Sequence, residues 1–93
     1  MKAMVLKRLC RLEEEPRPLE KTDLPVPEPG AGEVLIRVSA CGVCHTELDE
    51  IEGRTPPPRL PVIPGHQVVG RVENMGPGVT RHEHGERVGV AWI

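Results

Sequence analysis

The sequence predicts a mainly β fold with one or two short helices, and three features of its 93 residues lead there. Eleven Pro and ten Gly interrupt the chain too often for long helices. Glu33 to Ala40 alternates with a period of two, placing Val34, Ile36, Val38 and Ala40 on one face and Leu35, Arg37 and Ser39 on the other. Apolar residues make up 38% of the chain and Trp92 is its one aromatic, so the core of a single domain must rest on Val, Leu, Ile, Met and Ala.

Taken in order, residues 2–9 alternate loosely and read as a first strand. Cys10 has no ligand-type neighbour and reads as a small buried or half-buried hydrophobe. Arg11 to Pro18, with Glu13, Glu14 and Glu15 beside two Pro, reads as a solvated loop. Residues 19–24 suit a short edge strand, after which Pro25, Pro27 and Pro29 remove ladder donors and Gly30-Ala31-Gly32 turns the chain. The strand at 33–40 follows, and Gly42 breaks it.

From Cys44 the period changes. Leu48 and Ile51, with Glu47, Asp49 and Glu50 between them, suit a helix of two turns ending at Gly53. Cys44 or Thr46 then stands near its amino terminus, where partial positive charge favours a thiolate. Pro56-Pro57-Pro58 stiffens an extended loop. His66 to Glu73 is a Val-rich strand, residues 74–78 and 82–85 are turns, and Arg87 to Ile93 alternates again with Val88, Val90 and Trp92 on one face.

A formal charge of −2 gives no basic field for nucleic acid. No apolar run approaches the roughly 20 residues that cross a bilayer. The opening residues Met1 to Arg8 lack a signal-peptide apolar region, so a cytoplasmic location is expected, where the three cysteines would stay thiols. No glycine-rich nucleotide fingerprint is present, since Gly76-Pro77-Gly78 leads into no helix start. The sequence stops on an apolar strand, which reads as a cut through a larger domain. An unpaired apolar edge there invites self-association.

Chemistry concentrates in Cys41-Gly42-Val43-Cys44-His45-Thr46, with a further imidazole in Pro64-Gly65-His66-Gln67. Four readings are open. Cys-x-x-Cys-His is the c-type haem attachment pattern, which calls for export and a helical wrap. Cys-x-x-Cys at a helix start is a redox pair, which calls for alternating strands and helices around it. A closed structural zinc knuckle needs a second ligand pair, and Cys10, His66, His82 and His84 do not make one. An open catalytic zinc site would take Cys44 and His66 together with ligands found elsewhere.

Several ordered motifs narrow these. They are Met1-Lys2-Ala3-Met4-Val5, Pro27-Glu28-Pro29-Gly30, Gly32 to Val38, Ala40 to Leu48, Leu60 to His66, and Gly85 to Val90. Together they resemble the amino-terminal, GroES-like domain of the zinc-dependent medium-chain alcohol dehydrogenases. The resemblance implies a Greek-key β-barrel, of which residues 1–93 form the amino-terminal part. The structural-zinc lobe, a third catalytic ligand and the Rossmann domain would follow Ile93. It further implies oxidation of a small-molecule alcohol to an aldehyde or ketone, with zinc as Lewis acid and NAD or NADP as hydride acceptor.

Carried over by position, Cys44 and His66 correspond to zinc ligands and His45 to a contact with the coenzyme pyrophosphate. Thr46 corresponds to the hydroxyl that starts the proton relay, and Trp92 to an aromatic lining the substrate pocket. Cys41 corresponds to a residue that is no ligand. Glu47 replaces the usual Asp as supporting carboxylate, Asp49 stands where many relatives carry a relay His, and Gln67 replaces a Glu. With half of its site missing, this chain is expected to be inactive alone. The alternative is a stand-alone GroES-like module serving binding or assembly without catalysis.

Overall fold

A computed structural model describes residues 1–91, so Trp92 and the end of the expected last strand lie outside the described residues. The chain divides into two compact units, Met1–Pro25 with Val43–Gly65 and Val26–Gly42 with His66–Ile93. The elements formed by the described residues are five strands and one helix, in agreement with the mainly β reading.

In the first unit, β1 (Lys2–Leu6) pairs antiparallel with β2 (Leu19–Asp23), from Lys2 opposite Asp23 to Leu6 opposite Leu19. The expected strand at 2–9 is shorter, for a backbone reason. At Leu6 the N–H donates to Val62 O at 2.8 Å and the C=O accepts from Val62 N at 3.0 Å, so β1 ends held on both sides. Beyond it Cys10 N–H donates to Ile51 O at 3.0 Å, which ties the chain to the helix instead of continuing the ladder. Val5, Leu6 and Ile51 are the buried hydrophobic residues of this unit. Residues 11–15 turn back on themselves, with Glu14 and Glu15 N–H both donating to Arg11 O, and Glu13 and Glu14 are exposed as expected for a solvated loop.

The helix α1 (His45–Glu52) lies in the same unit. Cys44 is its N-cap in extended conformation, and Gly53 ends it at φ 83°, a left-handed value that glycine adopts without steric cost. Ile51 is buried, while Leu48 stays partly exposed at the other side of the turn.

The second unit is a three-stranded antiparallel sheet in the order β3 (Val34–Gly42), β4 (Gln67–Met75), β5 (Arg87–Val90). β3 runs two residues further than the sequence suggests, because Cys41 and Gly42 keep partners in Val68 and Gln67. The pairing shifts register between Leu35 and Ile36, where β4 carries the extra residue, and between Val38 and Ala40, where β3 does; Val38, on the expected apolar face, is 55% exposed. β4 likewise reaches Met75, since Asn74 and Met75 pair with Leu35 and Val34, and the turn begins only at Gly76. Among the described residues of this unit Val72 is the buried hydrophobic one, its N–H donating to Glu86 O and its C=O accepting from Gly85 N–H.

Candidate functional site

The amino-terminal turn of α1 gathers most of the expected site residues on one element. Cys44 caps it, and His45, Thr46 and Glu47 occupy its first turn, with Asp49 one turn beyond His45. The thiol of Cys44 is half-buried and Thr46 is half-buried, whereas the imidazole of His45 is 77% exposed.

Glu47 is buried, with 4% of its surface exposed, an uncommon setting for a carboxylate. Part of the reason is local. Cys44 N–H donates to Glu47 Oε2 at 2.7 Å, the carboxylate half of a capping box. The N-cap backbone next to the thiol is thereby fixed by the side chain three residues on. Sequence reasoning assigned Glu47 a supporting role by resemblance and missed this one. The signal was present as Cys44-x-x-Glu47, which has the spacing of Ser/Thr-x-x-Glu with a thiol in the hydroxyl's place.

Asp49 sits in a chain of charged contacts. Its Oδ2 is 3.3 Å from His45 Nδ1, and its Oδ1 accepts from Arg54 Nε at 2.6 Å. Arg54 Nη1 donates to Glu52 Oε1 at 2.8 Å, and Glu52 Oε2 accepts from Leu12 N–H at 3.0 Å. The Arg54 guanidinium, and secondarily His45, hold the Asp49 carboxyl below its ordinary value. For Glu52 the Leu12 N–H is the larger cause and Arg54 the next, again downward. Arg54 was not singled out from sequence, because it reaches Asp49 only after the left-handed turn at Gly53.

These shifts give a pH expectation. A carboxylate held lower in the folded chain than in the unfolded one stabilises the fold above its unfolded value, and the contribution disappears as pH falls through the folded value. Asp49, Glu52, Glu20 beside Lys7 and Glu86 beside His82 all shift this way from ordinary values of 3.8 and 4.5. The thermal midpoint should be flat from about pH 7 to about pH 5 and fall below about pH 4. A midpoint unchanged down to about pH 2 would contradict these contacts.

The remaining expected residues lie in the second unit. His66 is half-buried and directly precedes β4, and Gln67 opens that strand opposite Gly42. Cys41 is exposed on β3 and its thiol donates to Gly42 O at 3.8 Å. Trp92, expected to line a substrate pocket, lies outside the described residues.

The chain is similar to known proteins. An alcohol dehydrogenase from Geobacillus stearothermophilus is 47% identical over 83 residues, covering 88% of this chain and 25% of its own length. Among solved structures, the cobalt- and zinc-bound thermostable alcohol dehydrogenase from Pyrobaculum aerophilum is 36% identical with a TM-score of 0.84, covering 96% of this chain and 26% of that one. A mycobacterial protein solved in complex with NADPH is 35% identical with a TM-score of 0.83, covering 96% and 27%. The chain thus spans about a quarter of the length of the relatives it matches. The profile of the alcohol dehydrogenase GroES-like domain matches residues 30–93, from the turn before β3 through the helix that carries Cys44 to the end of the sequence, and the chain belongs to that family.

Proposed function

We propose that this chain is the amino-terminal part of the catalytic domain of a zinc-dependent alcohol dehydrogenase, and that it is inactive by itself. The observation that carries the reading is the placement of a thiol, an imidazole and a hydroxyl, Cys44-His45-Thr46, at the start of one helix in a chain of this family. The donor chemistry fits zinc. Cys44, Glu47 and His66 offer a thiolate, a carboxylate and an imidazole, the ligand types that zinc takes. In this reading Cys44 and His66 would hold the ion, with Glu47 as supporting carboxylate. A relative solved with zinc and another solved with NADPH support the same cofactors here.

When bound, zinc supplies Lewis acidity toward the oxygen of an alcohol. The chain's own part is narrower. The Glu47 carboxylate holds the Cys44 backbone at the helix start, which orients the thiolate. Thr46 accepts the proton of the alcohol and passes it outward. Hydride acceptance would belong to NAD or NADP.

The test is zinc quantification on the purified chain and on Cys44→Ser and His66→Ala. The wild type should bind zinc, and each variant should lose at least about tenfold in affinity. None of the three should reduce NAD or NADP with an alcohol. Equal zinc affinity in all three would overturn the site.

A further inference from the structure

We propose that the outer edge of β5 is a contact between two copies of this chain, which pair antiparallel about Gly89 and join their three-stranded sheets into one. The contact is independent of zinc, since β5 carries none of the ligands named for it. Arg71 lies opposite Arg87 in the β4–β5 ladder, which puts Val72 opposite Glu86, and Val72 N–H donates to Glu86 O at 2.9 Å. Bonded and non-bonded pairs alternate along an antiparallel ladder. Val88 and Val90 therefore turn their N–H and C=O toward β4, while Arg87 and Gly89 point theirs outward, and Ala91 has the same parity. Arg87, Gly89 and Ala91 are exposed, and among the described residues no backbone hydrogen bond reaches them from outside β4.

Of the two edges of this sheet, β5 is the regular one. β3, at the other edge, carries Ser39 as an extra residue, an irregularity of the kind that blunts an edge. β5 pairs with β4 without a shift, and residues 87–91 contain no Pro, so each outward N–H is a donor.

A second copy brings the same edge by symmetry, and charge and donors select one register. Centred on Arg87, the pairing sets two guanidinium groups directly opposite each other and calls on Gly85, whose N–H already bonds Val72 O. Centred on Val88, it bonds Arg87 to Gly89 in each direction and leaves the two Arg87 side chains as diagonal neighbours on one face. Centred on Gly89, it bonds Gly89 to the partner's Gly89 and Arg87 to Ala91 in each direction, and the two Arg87 stand far apart. Val88 then meets the partner's Val90 in a non-bonded pair, where side chains lie closest. That face is apolar on both sides of the contact: Val88 and Val90 share it with Val68, Val72 and Val38, and Val38 is 55% and Val90 45% exposed.

An edge this short buries less than a standard interface, so the dimer should be weak, with a dissociation constant between about 10 μM and about 1 mM. Sedimentation equilibrium of the 93-residue chain across that range should move from the 10.2 kDa of one chain toward twice that mass. Over the same range amide exchange should slow at Arg87, Gly89 and Ala91 and stay unchanged at Val88 and Val90, which bond β4 in the single chain. Gly89→Pro removes the central donor from both copies without taking a bond from the β4 ladder, and should weaken association at least about tenfold. Gly89→Ala keeps the donor, and its Cβ would meet only Val68 O at 3.8 Å, so it should associate as the wild type does. Exchange at Val72 reports whether each variant keeps its sheet; if Gly89→Pro does not, the alternation in the wild type decides alone. One chain mass at about 1 mM, equal association of wild type and a folded Gly89→Pro, or slowing that does not alternate along 87–91 would overturn the proposal. Slowing at Arg87 and Gly89 without Ala91 would overturn the register centred on Gly89.

Discussion

Replacing Gly76 by Ala should cost about 3 kcal/mol or more, the upper part of the range for forcing extra volume into packed structure. A Cβ at Gly76 would stand 1.7 Å from Gly30 O, 2.6 Å from Gly30 C and 3.1 Å from Pro29 O. All three are backbone atoms, so no flexible side chain can swing away. Gly30 is itself tied in place: its N–H donates to Glu33 Oε1 at 2.7 Å and its C=O accepts from Glu33 N–H at 3.0 Å. On the other side Gly76 N–H donates to Glu33 O at 2.8 Å and Gly32 N–H to Pro77 O at 2.9 Å. Making room means breaking this four-bond clasp where β3 begins and β4 ends. Gly78→Ala separates the causes. Its Cβ would meet nothing within 4 Å, but φ is 81°, so only backbone strain of about 1 kcal/mol remains. Urea titrations followed by amide exchange at Val72 and Gly85 should rank Gly76→Ala well below Gly78→Ala. Equal stabilities would show that the clasp does not constrain this turn.

That clasp also marks where the sequence was and was not legible. Helix α1 was readable almost to the residue, because its signals are local: a capping-type residue at Cys44, acidic residues in the first turn, and a glycine at the C-cap. Strand lengths were not, because a strand ends where its partner stops pairing. β1 stops at Leu6 opposite Leu19, where its partner β2 begins, and Leu6 is also bridged to Val62, fifty-odd residues away by chain and invisible to any window. β3 and β4 run on through Gly42 and Met75 because each supplies the other's ladder. The irregularities in pairing, with Glu73 extra on β4 and Ser39 extra on β3, leave no trace in an alternating pattern, and each resets which face the later side chains of its own strand join.

The site divides along the same line. Cys44, His45 and Thr46 were found by motif, since a thiol, an imidazole and a hydroxyl in one stretch stand out by chemistry. Glu47 was singled out as a supporting carboxylate by resemblance, but its hydrogen bond to the Cys44 backbone was not foreseen. Arg54 is an ordinary charged side chain in a sequence where 28% of residues are charged, and only the Gly53 turn brings it to Asp49.

Leu6→Ala should have the second large effect, about 3 kcal/mol, within the range for deleting a buried leucine side chain. Leu6 has 0% of its surface exposed, more complete burial than any other core residue of its unit. Its backbone already serves two neighbours, Leu19 across β2 and Val62 through the paired bonds of the bridge. The side chain therefore fills a place whose walls are fixed by hydrogen bonds and can collapse only partly, which raises the cost of a void. For a chain of this length total stability is about 5–14 kcal/mol, so the loss is a large share of it. Volume separates packing from the backbone. Leu6→Met keeps the volume and the same N–H and C=O, and it should cost less than about 1.5 kcal/mol. Chemical denaturation of the three proteins, with amide exchange at Leu6 and Val62, distinguishes the explanations. If Leu6→Ala and Leu6→Met were equally stable, the β1–Val62 bridge rather than the buried side chain would be what holds this end of the first unit.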